Sequence, residues 1–599
     1  MKLLRLKITD PAGFRSLPYG FEHHFRTEWG LQEELAQPEG FEPFICAGLN
    51  GSGKSNLLEA LAAIFFQLEV QRVRRNFLPE TFQYDPDDNP EGIKDHEGNP
   101  NAYELEYLIT LPEEYRSSGS PAFAHVVVIK EPDKSPWLGR KKNEASPVEE
   151  FSFSRFNDEE RDLLLPQYVL GYSSGENEIL SLPFFKMRFI QFDEYWDALT
   201  RKSSYPGHPD TRLAYLDNGF SQAILLCNLL FQDETTLQPF REDVGIEELR
   251  EFRIILRRSV PITHQQLADF TSGEHVLPTE IQDGHFTDSD MVYRDLETGD
   301  YRLNLLQGLE ADERTAIVGK LKRCATLHFH DEATDTLILD YRVNGATRQA
   351  FQENFDGSAL ALFQAFQVLL SLNLYTVSDT LKADLYRSNS HYVSETVPTL
   401  ASDQRIMRFK NFYFTKQGVE KPMLLKELSD GEHQLLHSLG LCLLFRETNS
   451  LFLLDEPETH FNPHWRASFI TRLRQCLSST GKANQEMLIT THTPFLISDS
   501  KPEKVLVFAK DQASGTVSIS KPTYNTLGAS INKITHETFG KHETIGEVAQ
   551  QLLEQLISDP MSKTDPYGLA RNIMKTIGDS IERTLAVHTL VQAKKVDKE

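Results

Sequence analysis

Cysteine is sparse and never paired: Cys46, Cys227, Cys324, Cys442 and Cys476 stand singly, with no CxxC. This odd, dispersed set excludes a disulfide framework and a zinc site, and it fits buried thiols in a reducing compartment. Positive charge is in deficit. Against 87 Asp and Glu there are 62 Lys and Arg, a formal net charge of −25. Such a surface repels nucleic-acid phosphates on average, so any DNA contact needs a local basic patch or a partner. Two small basic clusters exist, at Arg72, Arg74 and Arg75 and at Arg140, Lys141 and Lys142, and the ordinary reading of each is solvated surface. The opening MKLLRLKITDPAGF alternates like a strand and lacks the apolar run of a signal peptide. No stretch approaches the roughly 18 apolar residues that span a bilayer. A cytoplasmic protein with no membrane association is the expectation. No internal repeat is visible and no heptad persists, which argues against a long coiled-coil arm.

What is present is enough chain, 599 residues, for roughly four domain equivalents. Residues 1–16, 20–26, 41–47, 103–111 and 124–130 read as strands, and 56–67 as an apolar helix. The Pro- and Asp-rich 79–101 reads as a surface loop. In the middle, 215–231 and 358–375 look helical, whereas 247–258, 324–329 and 336–343 alternate like strands. From Met407 come a strand, a turn, a helix opened by LSDGEHQ, and the strands LFLLDE, MLITTH and KVLVFAK. The tail from Ser530 reads as mostly helical, with Ile573, Ile577, Ile581 and Leu585 as an apolar stripe at four-residue spacing. The expected division is 1–200, a compact 201–405 insertion, 406–515, and a helical 516–599.

Four motifs carry chemistry. Gly48-Leu-Asn-Gly-Ser-Gly-Lys54-Ser55 lies between a strand and a helix. There glycines let the backbone amides of Asn50, Gly51, Ser52 and Gly53 turn inward around a phosphate at a positive helix end. Lys54 reaches the β- and γ-phosphates, and Ser55 offers a hydroxyl to Mg²⁺. The second motif, LFLLDEPE (451–458), is a buried strand ending in paired carboxylates, with Asp455 placed to hold Mg²⁺ through water and Glu456 to orient the attacking water. The third, Leu428 to Gln434, sets Ser429 and Gly431 at a helix start, an anion site or an ordinary N-cap. In the fourth, His492 ends an apolar strand, as a packed histidine or as a sensor of the γ-phosphate.

Taken together, and in this order, these resemble the Walker A, signature, Walker B and switch-histidine elements of ABC-type ATPases. The wording DEPETHFNP is similar to soluble members related to the RecF, SMC and overcoming-lysogenization-defect groups. The resemblance spans about 1–75 and 405–510. YVLGYSSGENEILSLPF (168–184) resembles a segment of restriction- and defence-associated ATPases, and INKITHETFGKHETIGEVAQQLLEQL resembles Septu-type ATPase subunits of the PtuA group. The resemblance implies an α/β fold: an ABC-type P-loop NTPase head with a mixed β lobe, a parallel core sheet, a large α+β insertion and a helical C-terminal tail. It further implies ATP and Mg²⁺ as cofactors, Glu456 and His492 as catalytic residues, and a head-to-tail homodimer or higher homo-oligomer that closes on ATP. In it, Ser429 and Gly431 of one subunit would face Lys54 of the other. The signature departs from the commonest form in reading LSDGE, and the glutamine of the Q-loop is unplaced, with Gln191 and Gln83 as candidates.

Three roles fit. One is the ATPase subunit of an antiphage system that controls a separately encoded HNH-type nuclease, with nucleic acid reached mainly through that partner. Another is a RecF-like ATPase acting directly on DNA, which the net charge disfavours. The third is a transporter's energising subunit, for which the chain is too long. Fewer than 110 residues follow His492, without a toprim-like acidic cluster or an HNH arrangement.

Overall fold

Apolar runs without polar alternation become the middle of one sheet. The computed structural model describes residues 1–36, 40–73, 82–94, 98–112, 115, 122–141, 149–151, 162–174, 180–203, 205–263, 266, 291–294, 299–387, 397–477, 484–541, 544–558 and 564–596. In it Phe44–Gly48, Ser450–Asp455 and Glu486–Thr491 are buried at every position, as strands covered by helices on both faces require. The sheet runs Val517–Ser520, Val505–Lys510, Phe44–Gly48, Glu486–Thr491, Ser450–Asp455, Tyr168–Ser173, Leu213–Tyr215; only the first pairing is antiparallel. Phe44–Gly48, from the start of the chain, is thus flanked by strands from its last third. The functional ends of all these parallel strands lie along one edge, where open α/β sheets bind ligands.

A six-stranded antiparallel sheet forms the N-terminal lobe, around Lys2–Ile8 and Tyr103–Thr110. Buried ion pairs join it to the central sheet. Arg26 donates to Glu486 at 2.7 Å and to Glu34 at 3.0 Å, Lys504 reaches Glu34, and the amide of Leu3 donates to Glu486 at 2.7 Å. Further along, Ile246–Arg257 pairs with both Thr336–Arg342 and Met407–Lys416, so one five-stranded sheet draws on residues on both sides of position 405.

The helical stretch Ala359–Thr376 corrects one expectation. By length and composition it is apolar enough to cross a membrane, yet 67% of it is buried inside the protein. Phe363 and Phe366 lie in the core, the latter edge-on to Phe409. The tail stripe is also corrected. Ile573 and Ile577 are buried, whereas Ile581 and Leu585 are 54% and 60% exposed. One helix stops at Thr576 and the next begins at Ile581, capped by the Ser580 hydroxyl, which accepts from the Arg583 amide at 3.1 Å. Four-residue spacing therefore does not carry a common face across Gly578. The tail helices share a small core of their own, Leu553, Leu569, Ile573, Ile577 and Leu590.

The first basic cluster is not a surface patch at Arg72. That side chain is buried and pairs with Glu69 at 2.8 Å and Asp210 at 3.1 Å. Arg74 and Arg75 lie outside the described residues, as does Lys142; Lys141 pairs with Glu106 at 2.9 Å. All five cysteines are free and buried.

Candidate nucleotide site

The turn from Phe44–Gly48 into the helix Lys54–Val73 depends on glycine. Gly48, Gly51 and Gly53 adopt φ of 151°, 73° and 95°, conformations that L side chains rarely enter. Space is also closed to a side chain: a Cβ at Gly48 would sit 2.5 Å from the Phe508 carbonyl, and one at Gly53 would sit 2.8 Å from Ser16 Oγ. Asn50 and Gly51 lie exposed at the crest, and Ser52 is buried with a hydroxyl that has no hydrogen-bond partner. A concave backbone ahead of a helix N-terminus, with an unanswered hydroxyl inside, fits a phosphate.

Lys54 closes this loop on itself, its Nζ donating to the carbonyls of Gly48 and Leu49 at 3.1 Å each. Burial pulls its pKa below the usual lysine value, against the attraction of Glu456 and Asp455. Ser55 Oγ donates to Asp455 Oδ1 at 2.8 Å, and Thr490 Oγ1 donates to the same oxygen at 2.6 Å. Burial raises the Asp455 pKa although both hydroxyls favour the anion. Ser55 and Asp455 are therefore already adjacent as an oxygen pair suited to Mg²⁺, which takes one or two protein oxygens and completes its shell with phosphate and water. No group of three or more His, Cys, Asp or Glu poised for a metal occurs among the described residues.

Glu456 follows at a strained φ of 49°, a cost that backbone geometry concentrates at functional sites. Its amide donates to Thr490 Oγ1 at 3.0 Å, and its Oε1 lies 2.8 Å from His492 Nε2. That hydrogen bond from His492 is the main reason its carboxyl titrates below the usual value. Lys54 Nζ is 3.1 Å from the same Nε2. The structure thus brings Lys54, Ser55, Asp455, Glu456 and His492 to one place.

Ser429 and Gly431 are held elsewhere by their own chain. Ser429 caps the helix Asp430–Leu444, its amide and hydroxyl donating to Glu432 at 2.8 and 2.9 Å. Glu432 in turn pairs with Lys416. Gly431 packs on the loop after Glu456, where a Cβ would lie 2.7 Å from the His460 carbonyl. Among the described residues no hydrogen bond or ion pair joins either to the phosphate loop. Both Q-loop candidates are corrected. Gln191 is buried and donates to Thr211 Oγ1 at 2.7 Å, and Gln83 pairs with Ile93 and lines a cavity with Phe66, Gln67, Val70 and Gln71 of the Lys54–Val73 helix.

Sequence reasoning missed several neighbours. Ser174, past the end of Tyr168–Ser173, donates its amide to the Asp455 carbonyl at 3.2 Å and its hydroxyl to Thr459 at 2.9 Å. Glu458 is buried, with Oε1 accepting from Thr491 and Oε2 lacking a partner, and burial lifts its pKa to about 7. The paired threonines of LITTH and the second glutamate of DEPE were the available signals. Each is an ordinary residue type whose role appears only when strands from distant sequence are aligned.

A protein-family profile described as "AAA domain, putative AbiEii toxin, Type IV TA system" matches residues 327–498. That span is less than a third of the chain. It contains Ser429, Gly431, Asp455, Glu456 and His492 but not the phosphate loop, which the fold supplies from residues 48–55. Among solved structures, the chain is similar to "Crystal structure of the SmcHead bound to the C-winged helix domain of ScpA", at 12% identity and a TM-score of 0.29, over 87% of this chain and 97% of that one. No curated protein matches it. The parallel sheet, the glycine-built phosphate loop and the carboxylates at the neighbouring strand end define a P-loop ATPase.

Proposed function

We propose that the chain is an ABC-type ATPase that binds and hydrolyses MgATP through head-to-tail dimerisation. The observation that carries this reading is a division within one chain. Lys54, Ser55, Asp455, Glu456 and His492 converge, while exposed Ser429 at a helix start stays apart from them. A second copy would bring its helix N-terminus to the phosphate end of the site, and closure would exclude water. Lys54 would then exchange the loop carbonyls for phosphate oxygens, Ser55 and Asp455 would hold Mg²⁺, and Glu456 would position water for in-line attack. Native mass spectrometry tests this. Glu456→Gln with ATP should be dimeric or a larger assembly, and Lys54→Ala should not respond to ATP. A Glu456→Gln chain that ignores ATP sinks the proposal.

The downstream role we infer is antiphage defence, with nucleotide state controlling a separately encoded nuclease. The sequence resemblance to Septu-type subunits supports it, as does the toxin–antitoxin wording of the matching profile. Co-expression with the neighbouring reading frame checks this: a stable complex with a small nuclease supports it, and a bare dimer favours direct DNA handling.

A further inference from the structure

The outermost strand of the central sheet, Leu213–Tyr215, lies four strands from Phe44–Gly48, roughly 19 Å at 4.8 Å per strand. Beside it a cavity of about 360 Å³ is lined from the helices Leu182–Thr200 and Ala359–Ser371, a volume within the range of small-molecule sites. None of its lining residues belongs to the phosphate loop or is Asp455, Glu456 or His492. Phe185, Tyr215 and Phe220 give it aromatic walls.

Polar groups in this cavity are uncommitted. Gln367 is only 5% exposed, and its side-chain amide makes no hydrogen bond among the described residues. Neither its oxygen nor its nitrogen is sealed off by protein. What little surface the residue keeps therefore includes both amide atoms, and it opens into the cavity. A buried amide left without partners is costly. Gln191, 2% exposed, spends its Nε2 on Thr211 Oγ1 at 2.7 Å and the Leu213 carbonyl at 3.4 Å, so Oε1 is the atom it has left to offer. Asn373 has its Oδ1 on the Ile406 amide at 2.8 Å, which leaves Nδ2 as a donor.

The two arginines differ. Arg188 is fixed: it donates to the Tyr215 carbonyl and, at 2.9 Å, to Asp217, and it lies 4.6 Å over the Phe185 ring. Arg405 is exposed, and its side chain has no hydrogen bond or ion pair among the described residues. An amide that presents donor and acceptor side by side matches the edge of a nucleobase, aromatic walls suit its faces, and a guanidinium at the rim suits a phosphate.

We propose that this cavity binds a nucleoside monophosphate, at a site separate from the phosphate loop. The base meets the Gln367 amide edge-on between the aromatic walls, and the phosphate points outward to Arg405.

Calorimetric titration of the full chain with the four ribonucleosides and their monophosphates tests this. Saturable binding of at least one monophosphate is expected, unchanged by Lys54→Ala. Gln367→Leu keeps the side chain's bulk and should weaken that binding about tenfold or more, through loss of a paired amide–base contact. Because the amide it replaces has no partner in the protein, the thermal midpoint should hold or rise; a lowered midpoint would make the amide structural and overturn the assignment. Arg405→Ala, at an exposed position, should weaken the monophosphate and leave its nucleoside unaffected. No saturable binding of any of the eight, or binding lost with Lys54→Ala but indifferent to Gln367→Leu and Arg405→Ala, overturns the proposal.

Discussion

Glu456 Oε1 and His492 Nε2 lie 2.8 Å apart, and the same nitrogen is 3.1 Å from Lys54 Nζ. One ring nitrogen cannot serve both neighbours: protonated it donates to Glu456, and unprotonated it accepts from Lys54. The pair therefore links the state of the phosphate-binding lysine to the availability of the Glu456 carboxylate. Glu456→Gln keeps the size of the side chain but removes its basicity, so ATP binding should persist while turnover falls by roughly 10²–10⁴-fold. Single-turnover hydrolysis beside a nucleotide-binding titration checks this, and wild-type turnover would remove Glu456 from its assigned role.

Lys54→Ala should act on binding itself, because the Lys54 ammonium lies inside the phosphate loop, on the carbonyls of Gly48 and Leu49. Ser55→Ala should differ from it in kind. Losing the hydroxyl frees one Asp455 oxygen from a 2.8 Å hydrogen bond and removes one Mg²⁺ ligand. The expected result is a right-shifted Mg²⁺ requirement for hydrolysis with metal-free nucleotide binding kept. An unchanged Mg²⁺ titration would contradict the assignment of Ser55.

The motifs were legible because each is local. GLNGSGKS declares a turn by its glycines, and LFLLDE declares a buried strand by its unbroken apolar run. The order of the sheet was not legible. Phe44–Gly48 sits between strands more than 400 residues later in the chain, and only that juxtaposition shows why Ser55 should donate to Asp455. Gln191 misled because a glutamine in an apolar run carries no sign of whether it faces phosphate or, as here in the middle of the helix Leu182–Thr200, Thr211. The tail stripe misled because periodicity alone does not register the helix break at Gly578.

Arg26 gives a stability prediction. Its side chain is 3% exposed and serves Glu486 and Glu34 together. Glu486 is fully enclosed; burial would raise its pKa, and Arg26 and Lys2 outweigh that and hold it low. Arg26→Met leaves a buried carboxylate without its main counter-charge, which costs about 3–5 kcal/mol. Urea unfolding should show that loss, and the double variant Arg26→Met with Glu486→Gln should recover much of it, since the stranded charge is gone. No recovery in the double variant would place the cost in packing rather than charge.

Glu458 supplies a pH signature. Burial lifts its carboxyl from 4.5 to about 7. Between those values the unfolded chain has released a proton that the folded chain keeps, so stability falls as pH rises through this window and levels off above about 7. The full span corresponds to about 3 kcal/mol at 1.36 kcal/mol per unit. Glu458→Gln retains an oxygen for the Thr491 hydroxyl but never ionises. The variant's stability relative to wild type should therefore climb from about pH 5 to about pH 7.5 and then run parallel. Urea midpoints measured across that range decide it: curves parallel throughout would mean that Glu458 is already ionised in the folded protein, and its buried, half-satisfied carboxylate would need another counter-charge.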